Sequence, residues 1–368
     1  MARDRLAVGV VGCGLVAQAA HLPTLDTLRD RFRIAALADP VEEVRTALAE
    51  RYRVPAAVAS ADDILAVSGL DALVVCTPPA AHADAVCAAL AAGLHVFCEK
   101  PLCITVADAD RIVAARDTAG RVVQVGYMKR FDPAYEAMLA EMPESAAGLR
   151  YVSVESQDSE WQPYFLHGEV VRGRPPPADV VSELVERERE QAAEAGARDD
   201  TAVRAFVDGY LGSLVHFVNL VHGLLERMGE PLPPAVADSA WWAGGAAITA
   251  SAALTGGGRW DTAWIQTLGL HQHHERVAVY LEDAIRTLDL PSPWLRGAAS
   301  VYERSAATGG ARTAATVRSH DESFVRELIG FHDAVVQGAP CRTPPEQARM
   351  DIELLTAMFR RAVAAGHA

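Results

Sequence analysis

No stretch of this 368-residue chain is apolar for the length that a membrane span needs. The richest candidate, Ala83 to Cys98, is interrupted by Asp84 and His95. Basic residues are in deficit: Lys and Arg number 34 against 48 Asp and Glu, a formal charge of −14. No basic face for duplex phosphates is expected from that balance, so nucleic acid is excluded as a partner. Cysteine is sparse. Cys13, Cys76, Cys87, Cys98, Cys103 and Cys341 lack disulfide or zinc spacing, and most sit inside apolar runs. They read as reduced, buried side chains of a cytoplasmic protein. No secretory leader is expected either, because Met1–Arg5 leads straight into a strand-like run. Neither internal repeats nor low-complexity tracts occur. What is present is globular material, half hydrophobic and 22% charged, in a length that suggests two domains.

The first third alternates strand and helix. Leu6–Val11, Ile34–Ala38, Ala72–Cys76, Leu94–Cys98 and Val122–Val125 are apolar throughout, with helical periodicity between them. Strands apolar on both faces belong in parallel sheets covered by helices, which predicts a doubly wound Rossmann domain over 1–125. Beyond Gly126 the pattern changes. Tyr151–Glu155, Trp260–Leu270, Val277–Leu281 and Ile285–Leu290 alternate or are β-branched without helices between each pair. They predict an α+β domain over 126–368 with a mostly antiparallel open sheet. Helices are expected at Ala178–Ala195, a charged and solvated segment or mobile flap, at Asp208–Leu225 and at Glu346–Ala365.

Gly12-Cys13-Gly14-Leu15-Val16-Ala17 joins the first strand to the first helix as G-x-G-x-x-A. Glycine is needed there because the loop turns sharply and its backbone touches a pyrophosphate at a helix N-terminus. Gly12, Gly14, Leu15 and Val16 are therefore candidate cofactor contacts. Asp39 ends the second strand, 25 residues past Gly14. A carboxylate there accepts from ribose hydroxyls and repels a 2′-phosphate, so the expected cofactor is NAD rather than NADP.

Cys98-Glu99-Lys100-Pro101 and Thr77-Pro78-Pro79-x-x-His82 each follow a strand end, and Val125-Gly126-Tyr127-Met128-Lys129-Arg130-Phe131-Asp132-Pro133 comes next. With the glycine loop, these resemble the glucose–fructose oxidoreductase/inositol dehydrogenase (Gfo/Idh/MocA) family across essentially the whole chain. The resemblance implies that Glu99 contacts the nicotinamide ribose and that Lys100 touches nicotinamide and substrate. It also implies a cis Lys100–Pro101 peptide. Thr77, Pro78 and His82 would line the cofactor cleft, although capping serves His82 equally well. Tyr127 would sit near the nicotinamide with Arg130 behind it, either on substrate or in an ion pair.

One helix departs from the family pattern. Members usually carry an aspartate, a histidine four residues on, and a further carboxylate three beyond. Here Gly212, His216 and Asn219 stand at those places. On a regular helix, 212, 216, 219 and 223 share a face, so His216 and Asn219 point together and two glycines leave room for a ligand. His216 suits proton removal from an alcohol. His271, His273 and Glu275 would share a strand face, but without a second ligand group no metal is expected. The Trp241–Trp242 pair reads as core or subunit interface.

The function these residues imply is NAD-dependent hydride transfer at a secondary alcohol or ketone of a sugar, cyclitol or sugar-like metabolite. His216 would take the proton and Lys100 would polarise the oxygen, with Asn219, Tyr127 and Arg130 on neighbouring hydroxyls. Two rivals stand beside it: a redox-neutral or imine-reducing enzyme on the same scaffold, and a non-enzymatic dinucleotide sensor. The resemblance also implies a homodimer or homotetramer, and specificity is assigned to loops such as Trp161–Arg174.

Overall fold

The computed structural model describes residues 5–159, 170–270, 272–308 and 311–366. Two compact units divide the chain. The first comprises Met1–Tyr127, His167–Gln191 and Phe324–Arg349; the second comprises Met128–Leu166, Ala192–Ser323 and Met350–Ala368.

In the first unit, six strands form one parallel sheet: β1 (Leu6–Val11), β2 (Phe32–Ala38), β3 (Ala56–Val58), β4 (Ala72–Val75), β5 (His95–Glu99) and β6 (Val123–Gly126), in the order β3-β2-β1-β4-β5-β6. Its helices are α1 (Leu22–Thr27), α2 (Glu42–Tyr52), α3 (Ala61–Leu65), α4 (Pro79–Ala91) and α5 (Val106–Ala119). All six residues of β1 are buried, as a central strand covered on both faces requires. Thr105 caps α5 by accepting from Asp108 N, and Gly120 closes that helix in the left-handed region. The strand order reverses between β1 and β4, which puts the opening for a ligand at the C-terminal ends of those strands.

The expected split at residue 125 is corrected by the third segment of this unit. Leu328 and Phe331 of α10 (Ser323–Gln337) bury themselves in the same core as Phe97 and Val74. Gln124 Nε2 donates to Glu327 O, and Val125 and Thr343 exchange two hydrogen bonds. A helix so strongly amphipathic needs an apolar surface, and the first sheet supplies it.

The second unit holds an eight-stranded sheet. Its strands are β7 (Leu149–Ser159), β8 (Ala235–Trp242), β9 (Ala247–Ala253), β10 (Arg259–Thr267), β11 (His274–Leu281), β12 (Ala284–Leu290), β13 (Ser300–Thr308) and β14 (Ala311–Ser319). The order is β14-β13-β12-β11-β7-β10-β9-β8, antiparallel except for the β7–β10 pair. Strand β10 stops at Thr267, short of the expected Leu270, and leaves Leu268 75% exposed. Strand β14 is exposed along almost its whole length, so no alternation announced it; its charged edge carries Arg312 and Arg318. Trp241 is buried and its neighbour Trp242 is exposed, as strand alternation demands.

The remaining helices are α6 (Pro133–Ala140), α7 (Ala178–Ala195), α8 (Asp200–Arg204), α9 (Val215–Arg227) and α11 (Pro345–Ala364). The stretch expected to be one regular helix over Asp208–Leu225 is instead π-helical from Ala205 to Leu214 and becomes α-helical at Val215. Among the described residues, no helix is long and apolar enough to cross a membrane.

Candidate functional site

The glycine loop has the shape its sequence implied. Gly12 sits at φ +82°, and a Cβ there would lie 2.5 Å from the carbonyl oxygen of Cys76. Glycine is obligatory on both counts. At Gly14 an added Cβ would meet nothing within 4 Å, and the residue is exposed, which leaves backbone open to a phosphate. Leu15 and Val16 begin the following helix half-buried. Asp39 spans the loop and the next helix: Oδ2 accepts from Cys13 N at 2.8 Å, and Oδ1 accepts from Val41 N at 2.8 Å. The carboxylate therefore has a capping role, with lone pairs to spare for a ribose. Arg45, one turn into α2, donates to the Asp39 and Pro40 carbonyls at 3.3 Å. An arginine thus lies closer to Asp39 than the adjacent sequence indicated.

At the end of β5, Glu99 is buried and fully engaged. Its Oε1 lies 2.6 Å from His21 Nε2, and its Oε2 accepts from Lys100 N at 3.0 Å. Burial raises the Glu99 carboxyl, but the bond and charge of His21, with Lys100, bring it below the usual value. The Lys100–Pro101 peptide is cis, and Lys100 is half-buried. Gly126 allows this crowding, since a Cβ there would stand 3.2 Å from the Glu99 carboxyl.

His82 is a clip. Its Nδ1 is 2.8 Å from Pro101 O and its Nε2 is 2.6 Å from Thr77 O, and the ring is buried. Burial lowers its pKa against the pull of those two carbonyls. Of the two roles left open for His82, the satisfied polar one matches these contacts, and it ties two sequence motifs together. Thr77 Oγ1, by contrast, is buried with no partner among the described residues, while Pro78 is exposed. The open Gly14 backbone, the orphan Thr77 hydroxyl and Asp39 all belong to loops at the C-terminal ends of parallel strands, and they fit a dinucleotide.

The motif around Tyr127 is mostly interior. Tyr127, Lys129, Arg130 and Asp132 are all buried. Lys129 Nζ lies 2.5 Å from Glu275 Oε1 and 4.1 Å from the centroid of Phe217. Asp132 caps α6 through Ala134 N and accepts from Ser300 and Ser323. Arg130 donates to both the backbone and side-chain oxygens of Asn219, whose Nδ2 donates to Asp351 at 2.7 Å. Asp351 also faces His222 Nδ1 at 2.7 Å.

The expectation that Asn219 and His216 point together into a ligand is corrected here. Asn219 is fully buried and occupied within the unit, whereas His216 is half-exposed. Nor does Gly223 leave room, because a Cβ there would come within 2.5 Å of both Tyr135 Oη and Arg130 Cζ. The π-helical segment ends at Leu214, so it takes Gly212 out of register with His216, while His216, Asn219 and Gly223 stay together on α9.

His271 lies outside the described residues, as does most of Trp161–Arg174. Asp158 takes the place expected of His271 beside His273 and Glu275, their ligand atoms lying within 4.8 Å of one another. His273 Nδ1 is 4.0 Å from Asp158 Oδ1, and its Nε2 is 3.4 Å from Glu275 Oε1. Lys129 already balances the acidic end, and Trp264 Nε1 and Ser213 Oγ donate to Asp158 Oδ2. Sequence reasoning put His273 beside Glu275 but missed Asp158 and Lys129, which come from segments far away in sequence. It missed His21 for the same reason.

Residues 6–127 match the family model described as "Oxidoreductase family, NAD-binding Rossmann fold". An inositol 2-dehydrogenase of Acidiphilium cryptum is 40% identical over 137 residues, which cover 37% of this chain and 40% of that relative. The match thus spans well under half of the relative's length. A putative myo-inositol dehydrogenase from Sinorhizobium meliloti superposes with a TM-score of 0.69 at 19% identity, covering 98% of each chain. A putative NADPH-dependent oxidoreductase from Desulfitobacterium hafniense reaches 0.74 at 14% identity, covering 99% of this chain and 97% of that one. At such identities the superpositions speak for the fold alone. Residues 6–127 are thus similar to the NAD-binding Rossmann domain of the Gfo/Idh/MocA oxidoreductases.

Proposed function

We propose that this protein is an NAD-dependent oxidoreductase acting on a secondary alcohol or ketone of a sugar, cyclitol or sugar-like metabolite. The observation that carries the reading is Glu99-Lys100-Pro101 at the end of β5, in the same sheet as the Gly12–Gly14 loop at the end of β1. A dinucleotide bound there would supply a nicotinamide ring that takes or gives a hydride. Gly14, Leu15 and Val16 offer backbone N–H groups to its pyrophosphate, and Asp39 offers an acceptor to its adenosine ribose. That acceptor is the reason to favour NAD over NADP.

Lys100 has the chemistry to donate to the reacting oxygen and to stabilise the alkoxide as it forms. Its backbone is held by Glu99, which His21 holds in turn. His216 accepts the hydroxyl proton in this reading. No aspartate stands at position 212 to orient it, so its basicity depends on its other neighbours. Tyr127 and Arg130 act through packing in this reading, given their burial. The polyol class is supported by the inositol 2-dehydrogenase likeness of the first third. The test is absorbance at 340 nm with NAD⁺ or NADP⁺ and a panel of inositols, aldoses and nucleotide-free sugar acids. Reduced nucleotide formed with NAD⁺ and one cyclitol or sugar supports the proposal. A product appearing without reduced nucleotide selects the redox-neutral rival, and silence across the panel with intact dinucleotide binding selects the sensor.

A further inference from the structure

Residues 170–174 are remote in sequence from the glycine loop, yet they lie against it. Val171 pairs with the side chain of Gln18 in both directions: its N–H donates to Gln18 Oε1 at 2.7 Å, and its carbonyl accepts from Gln18 Nε2 at 3.1 Å. The same Nε2 donates to Cys13 O at 2.8 Å, between the two loop glycines. Val171 also packs on the core that contains Cys13. Two residues further on, Gly173 meets the start of α2 so closely that a Cβ would lie 2.4 Å from Val41 Cγ1. Arg174 then donates to Glu43 Oε1 at 2.6 Å. The chain continues into α7, which is fastened to the first unit by Arg187 on Asp84 and by Gln191 on Asp108 at 3.0 Å.

The segment therefore joins two walls, the glycine loop and the β2–α2 turn. Asp39 joins the same two walls, through Cys13 N and Val41 N. A dinucleotide places its adenosine ribose between those walls, on that carboxylate. We propose that residues 170–174 form a strap over the adenosine half of the bound dinucleotide, with Gln18 as its latch. The strap slows release. Gln18 is a positioning residue here, holding Val171 on one side and the Cys13 carbonyl on the other. The inference rests on the reading that the first unit binds a dinucleotide.

The test is the dissociation rate of NADH and of NADPH, followed by stopped-flow fluorescence with excess ADP-ribose as competitor. The full chain is compared with Gln18→Ala and Gly173→Val. Gln18→Ala opens the latch but also loosens Cys13. Gly173→Val crowds Val41 and lifts the strap without touching the glycine loop. Both variants are expected to release nucleotide roughly tenfold faster, about the loss of one or two hydrogen bonds, with association rates little changed. Thermal melts without nucleotide report whether each variant is folded. Unchanged release in both folded variants overturns the strap while leaving the binding reading intact. Slower release or tighter binding also overturns it, since the segment would then be a plug. Absence of binding by the wild-type chain overturns the strap and the dinucleotide reading together.

Discussion

His21 Nε2 lies 2.6 Å from Glu99 Oε1, so the residue preceding Lys100 is anchored by the helical turn that follows the glycine loop. Both partners are buried. Replacing His21 by Leu leaves a buried carboxylate with one fewer partner, a loss on the order of 3 kcal/mol of stability at neutral pH. Because the Glu99 carboxyl is held below its unfolded value, its contribution is present above that value and is lost as pH falls through the folded one. Urea midpoints of wild type and His21→Leu should accordingly stand far apart at pH 7 and draw together only as pH falls below about 4.5.

Glu327 shows the opposite sign. It is fully buried, and both carboxyl oxygens lack a partner among the described residues. Burial, reinforced by the charge of Glu99, pushes its carboxyl well above the ordinary range. The folded chain then keeps a proton that the unfolded chain releases, so this residue costs stability as pH rises above about 4.5. Glu327→Gln removes the proton linkage at nearly constant shape. Its stability relative to wild type should grow from pH 5 to pH 8 in chemical denaturation, and a constant difference would show that Glu327 has a partner.

Two glycines predicted to serve ligands part company. Gly223→Ala would drive a Cβ into Tyr135 and Arg130, both buried, and should cost about 1–3 kcal/mol through overpacking. Gly14→Ala meets no atom, so its melting temperature should stay within a degree or two of wild type. The affinity of Gly14→Ala for NADH should nevertheless fall at least tenfold, because the methyl group stands where phosphate approaches. Paired melts and titrations separate the two effects.

The first sheet was legible because its strands are buried on both faces, and a run such as Leu6–Val11 has no other soluble home. Glu99, Lys100 and the glycine loop were legible for a related reason: chemistry at strand ends is local in sequence. The second unit resisted reading where Ala-rich strands such as Ala247–Ala253 are buried at most positions and alternate in neither burial nor polarity. The π-helical turn at Ala205–Leu214 leaves no mark on composition, and with it went the register that joined Gly212 to His216. Long-range pairs were the least visible of all. Nothing local marks Lys129 as the partner of Glu275, or Gln18 as the partner of Val171.

Catalysis should divide between Lys100 and His216 in a way that kinetics can resolve. Lys100 lies next to a glutamate that is fixed by His21. Lys100→Ala removes a donor to the alkoxide, and kcat should fall by about 10²–10³ with the shape of the pH profile retained. Dinucleotide affinity should persist, since Gly12, Gly14 and Asp39 lie on other loops. His216→Ala removes the base itself. Its kcat should fall by roughly 10²–10⁴, and the acid limb of the kcat/KM profile should disappear. Gly212→Asp adds the carboxylate that the family resemblance leads us to expect four residues before the histidine, but a Cβ at 212 already stands 3.1 Å from Val207 O. If the π-helical turn yields a few tenths of an ångström, the acid limb should move to higher pH, because a nearby negative charge stabilises the imidazolium. Profiles of the three variants on one substrate check all of this. A His216→Ala enzyme with an intact acid limb would place the base elsewhere and leave Lys100 as the sole catalytic side chain of the proposal.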